Sequence, residues 1–71
     1  MPDYPIVSGA ELIAALVRMG FVKVRQRGSH VVLRRGATGC VVPLHRELKR
    51  GTIAGIVRQA SVDPDALIAL L

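Results

Sequence analysis

Two kinds of hydrophobic spacing alternate along the chain, and each change of period marks an element. Leu12, Ile13, Leu16, Val17 and Met19 recur at helical spacing behind Ser8-Gly-Ala-Glu11, whose S-x-x-E pattern is that of a capping box. The spacing predicts a helix over residues 9–19, ended by Gly20. From Phe21 the period shortens. FVKVRQ (residues 21–26) alternates weakly and is rich in β-branched side chains, which predicts a first strand. Arg27-Gly28-Ser29 reads as a turn, and HVVLRR (residues 30–35) as a second strand. Gly36-Ala37-Thr38-Gly39 has the composition of a four-residue hairpin loop. CVVPL (residues 40–44) is the third strand, and Pro43, with no N–H for a ladder, puts it at an edge or ends it there.

HRELKRG (residues 45–51) is a polar connection. Thr52 is placed to cap a second helix, on which Ile53, Ile56, Val57 and Ala60 repeat at i, i+3, i+4 and i+7. Asp63-Pro64 sets a cap before a first-turn proline, and Leu67, Ile68, Leu70 and Leu71 give a short last helical segment. Helix, three strands, helix in that order predicts a two-layer α+β domain, a three-stranded antiparallel sheet with its helices on one face. The opposite face is then free for RNA or a protein partner. Which strand side chains point there is left open, because a one-residue slip exchanges the two faces.

Composition narrows the chemistry. Seventy-one residues suffice for one domain, with residues 1–7 as an extended lead. The apolar share of 51% with one Phe and one Tyr predicts an aliphatic core. A lone Cys40 forms no internal disulfide, and with His30 and His45 it falls short of a four-ligand zinc site, so it is expected to be a small core residue. No paired carboxylates offer a cation site, and neither metal nor cofactor is expected. The apolar runs are far too short for a membrane-spanning helix. MPDYPIVSG lacks the features of a secretory signal, so the expected location is cytoplasmic.

Charge changes the picture most. All ten Lys and Arg fall between Arg18 and Arg58 against the single acid Glu47, a balance of +9, while four acids at the two ends bring the chain to +5. Such concentration is the footprint of a polyanion-binding surface, although a basic surface without a ligand has the same composition. Arg25, Arg27, Arg34, Arg35, Arg46, Lys49 and Arg50 are the candidate phosphate contacts. Within this stretch stands Gly28-Ser29-His30. Histidine, with an ordinary pKa of about 6.5, suits proton transfer at neutral pH. Arginine forks match phosphate oxygens, Gly28 allows close backbone approach, and Ser29 can hydrogen-bond a phosphate. The competing reading of His30 is a half-buried strand histidine bonded to a backbone carbonyl. His45 is either a general acid opposite His30 or a local hydrogen-bond partner.

Several pieces occur in a telling order: Gly20-Phe21, Gly28-Ser29-His30, Val42-Pro43-Leu44-His45, then Glu47-Leu48-Lys49-Arg50-Gly51-Thr52 leading to Ile56-Val57-Arg58-Gln59-Ala60. Over roughly residues 8–71 the chain resembles the HicA (YcfA-like) family, the mRNA interferase toxins of prokaryotic toxin–antitoxin pairs. The resemblance implies a double-stranded-RNA-binding-domain-like α-β-β-β-α fold and a cytoplasmic stress-response toxin that cleaves mRNA without metal. It implies His30 as the catalytic residue, which the chemistry above makes a general acid/base on the 2′-hydroxyl and phosphodiester. The charge and turn residues add Arg27, Gly28, Ser29, Arg34, Arg35, Arg46, Lys49 and Arg50 as expected RNA contacts and His45 as a possible second catalytic group. The resemblance further implies a HicB-like antitoxin covering the active face of an otherwise monomeric toxin. Val31 and Leu33 depart from the family, which often has a polar or histidine residue and then an aromatic there, and the segment between His45 and Glu47 is short. The runner-up is a noncatalytic RNA-binding module of the same fold; a third reading is a protein that acts only by occupying its partner.

Overall fold

Ser8 and Glu11 set the start of the first helix, α1 (Gly9–Arg18). The Ser8 N–H donates to Glu11 Oε1 at 2.9 Å and the Glu11 N–H to Ser8 Oγ at 3.0 Å, closing the capping box that the spacing predicts. These bonds, the Ser8 backbone N–H first and its side chain second, hold the Glu11 carboxyl below its ordinary value of 4.5. A group with a lowered folded pKa adds stability above its unfolded pKa and loses it as pH falls through the folded one. Thermal melts are therefore expected to weaken as pH drops from 4.5 downward, with Glu11→Gln shallower over that window. Parallel acid limbs in the two proteins would remove the cap from the account.

The computed structural model of the protein describes residues 2–71. After α1 come β1 (Val22–Arg27), β2 (His30–Arg35), β3 (Thr38–Pro43), α2 (Arg50–Ala60) and a short α3 (Pro64–Ile68). The strands form one antiparallel sheet in the order β1-β2-β3, giving the expected two-layer α+β arrangement. Both hairpins turn on two residues, Gly28-Ser29 and Gly36-Ala37. Each has glycine at the first central position, with φ of +56° and +60°, as a II′ turn requires. The expected four-residue loop is thus a two-residue one. Thr38 and Gly39 have turn-like composition, but they pair with Arg35 and Arg34.

Val31 and Leu33 of β2 and Cys40 and Val42 of β3 point inward, against Leu12, Leu16, Phe21, Ile53 and Leu67. Cys40 is a core residue as expected, and burial pushes its thiol up. α1 and α2 pack on β3. β1 is an edge strand, exposed along its whole length, with a register shift between Lys23 and Arg25. Its bulge and its basic side chains blunt an edge that would otherwise invite pairing.

The lead over residues 1–7 is extended from Pro2 onward, Met1 lying outside the described residues. It is tied down by the buried Tyr4 and Val7, and the Leu48 N–H donates to the Val7 carbonyl at 2.8 Å. The chain enters helical geometry earlier than expected, the Ile53 N–H donating to the Lys49 carbonyl at 3.0 Å. Lys49 is the N-cap of α2 and makes no side-chain cap bond, so Thr52 lies inside the first turn instead of capping it. Asp63 occupies the cap position before Pro64 as expected, likewise without a side-chain bond.

Candidate active site

Alternation along β2 sends Val31 and Leu33 to the core and His30, Val32 and Arg34 to the open face. Residues directly opposite in an antiparallel pair share a face. Arg27 therefore stands beside His30 and Arg25 beside Val32, while Pro43, Val41 and Gly39 flank them on β3. His30 is exposed, set in a basic field by Arg25, Arg27 and Arg34. The turn before it is braced twice. Gln26 Nε2 donates to the Gly28 carbonyl at 3.0 Å, and the Leu44 N–H to the Ser29 carbonyl at 2.6 Å.

The second wall of the site comes from α2. Its polar stripe, Gly51, Thr52, Gly55, Arg58 and Gln59, meets His30 and Val41 around an open groove of about 540 Å³. Gly51 and Gly55 present no side chain there, which keeps the wall low. Gln59 Oε1 accepts from the Val41 N–H at 3.4 Å, tying the helix to the outer edge of β3. A second groove of about 380 Å³ passes Val41 and Gln59 and reaches Val32, Gly39 and Arg34. Thr52, Arg58 and Gln59 are additions to the residues that sequence pattern singles out. The signal for them is the polar stripe opposite Ile53, Ile56, Val57 and Ala60; that this stripe faces His30 depends on packing across the sheet.

Residues 9–62 match the family model described as the HicA toxin of bacterial toxin–antitoxin systems. That stretch runs from the first residue of α1 past the end of α2 and takes in every residue lining the groove at His30. The chain belongs to the HicA toxin family. No curated protein matches it. Membership makes this HicA-family chain the toxin half of a toxin–antitoxin pair.

The candidate phosphate contacts expected from charge include residues that the fold sends elsewhere. Arg27, Gly28 and Ser29 flank His30, and Arg34 lies farther along the same face. Arg35 points to the other side: Nη1 donates to the Met19 carbonyl at 2.9 Å, and the guanidinium lies 4.8 Å from the Phe21 ring centre. It closes the end of α1 and covers an aromatic core residue. Arg50 pairs with Asp3 at 3.0 Å, both largely exposed, an interaction of small energy. Lys49 and Arg50 line a separate groove with Tyr4 and Pro5, and Arg46 is exposed in the connection before α2. His45 is exposed, its carbonyl accepts from the Gly9 N–H at 2.9 Å, and its side chain is not part of the groove at His30. Among the described residues no three His, Cys, Asp or Glu side chains are grouped to hold a metal, and no helix is long and apolar enough to cross a membrane.

Proposed function

We propose that this HicA-family chain is a metal-independent endoribonuclease that cleaves mRNA, residues 1–71 acting as one domain with His30 as its proton-transfer group. One observation carries the reading: the histidine of the Gly28-Ser29-His30 motif is exposed on the basic open face, beside a groove walled by α2. RNA brings its own nucleophile. His30 takes the proton of the 2′-hydroxyl, the 2′-oxygen attacks phosphorus, and the bond from phosphorus to the 5′-oxygen breaks. The products are a 2′,3′-cyclic phosphate and a 5′-hydroxyl. The departing oxygen takes its proton from the imidazolium just formed or from water. Arg27 and Arg34, with Arg25 beside them, hold phosphate oxygens as charge develops, and Gly28 and Ser29 let the backbone come close.

A HicB-like antitoxin suits the same face, where an acidic surface replaces RNA; the free toxin is then a monomer in the cytoplasm, where mRNA is found. The reading is tested by incubating the purified chain with RNA in chelator-containing buffer. Cleavage is expected, with cyclic-phosphate ends. Binding without cleavage leaves a noncatalytic RNA-binding module, the reading favoured by the absence of a second histidine from the groove. Salt gives an independent check. If about five phosphates are neutralised, log affinity against log salt for single-stranded RNA has a slope near −3.5, at about 0.7 per contact. A slope near zero takes the basic face out of the mechanism.

A further inference from the structure

The two grooves along β3 adjoin at Val41 and Gln59, which line both and make of them a shallow trough. It runs along the open face from His30 to Arg34, four residues of strand or about 13 Å. Gln59 stands at the waist. Val41 lies on the free edge of β3, and its N–H donates to Gln59 Oε1 at 3.4 Å, a long bond that nevertheless sets which end of the amide faces the strand. Nε2 is left with two donors and, among the described residues, no protein acceptor. Those donors sit in a trough that has a titratable imidazole at one end and a guanidinium at the other. An amide held by its oxygen offers only donors, and a strand of RNA is rich in acceptors: phosphate oxygens, ribose hydroxyls and base carbonyls.

We propose that Gln59 is a substrate-positioning residue: tethered by Val41, it donates from Nε2 to an acceptor on single-stranded RNA in the trough and so holds the scissile phosphodiester at His30. The proposal rests on the reading of His30 given above. Positioning matters because a reacting group displaced by about 1 Å can lose about a hundredfold in rate. Gln59 acts on the RNA, and His30 does the chemistry.

Two substitutions separate this role from a structural one. Gln59→Glu keeps an oxygen for the Val41 N–H, so a mere tether survives it, but replaces the donor with a negative charge facing a polyanion. Gln59→Met removes tether and donor together without adding charge. With a short single-stranded RNA, kcat/KM is expected to fall roughly threefold to tenfold in Gln59→Met and by more than about tenfold in Gln59→Glu, kcat falling as well as KM rising because the phosphodiester is no longer held at His30. Melting temperatures are read alongside, and Gln59→Glu should melt with the parent. The proposal is overturned if Gln59→Glu cleaves and binds like the parent, whether or not Gln59→Met is impaired. Should the parent bind RNA without cutting it, the His30 reading fails by itself. Affinity then decides: Gln59→Glu weakest sustains the positioning role, and equal affinities remove it. A parent that neither binds nor cuts RNA takes both down.

Discussion

His30→Ala is expected to lower the RNA-cleavage rate by about 10²- to 10⁴-fold, the range set by losing a general acid/base, while RNA affinity changes by no more than about twofold. The separation follows from where the side chain sits. His30 is exposed and, among the described residues, its ring makes no hydrogen bond that the fold depends on, so truncation leaves the strand and its bracing bonds in place. On the proposed reading, phosphate grip comes from Arg25, Arg27 and Arg34, which the substitution does not touch. Single-turnover cleavage and fluorescence anisotropy, both in chelator, read the two effects separately. Equal loss of rate and affinity would make His30 a binding residue. Unchanged cleavage would move the chemistry to another group and end the assignment.

Much of this arrangement was legible from local pattern. Helical spacing from Leu12 to Val17 and the S-x-x-E box place α1 to within a residue, and the spacing over His30–Arg35 matches the observed bounds of β2. Failures came where a local signal competed with a partner distant in sequence. Thr38-Gly39 has the composition of a loop, yet pairing with Arg35 and Arg34 draws both residues into β3. Thr52 has the chemistry of a cap, yet the Ile53 N–H already bonds the Lys49 carbonyl, so α2 starts earlier and Thr52 becomes groove wall.

The site divides along the same line. Gly28-Ser29-His30 is contiguous, so a motif finds it. Arg34 and Arg35 are adjacent in sequence and indistinguishable by charge, but alternation along β2 sends one to the open face and the other onto Phe21. Gln59 is twenty-nine residues from His30, and only α2 packing beside β3 brings the two to one groove. A polar stripe on a helix says that a face is wet; it does not say what stands across from it.

The largest expected effect on stability comes from a methyl group at Gly9. This residue opens α1, is buried, and donates its N–H to the His45 carbonyl at 2.9 Å. A Cβ there would run into the Pro43 carbonyl and come within 3.0 Å of Leu44 Cα. These are backbone atoms at the end of β3, which cannot rotate away as a side chain would. Gly9→Ala must therefore push α1 off β3 or break the bond to His45, at the upper end of overpacking costs, about 3 kcal/mol. For a domain of this length that corresponds to a fall in Tm of about 12–24 °C. Gly51→Ala is the contrasting case. It lies in α2 with open space where its Cβ would be, so better helix propensity should raise stability by up to about 1 kcal/mol. Because Gly51 also lines the groove at His30, the same methyl should weaken RNA binding while it stabilises the fold. Calorimetry on both variants checks the pair: an unchanged Tm in Gly9→Ala would mean that α1 and the end of β3 have room to part.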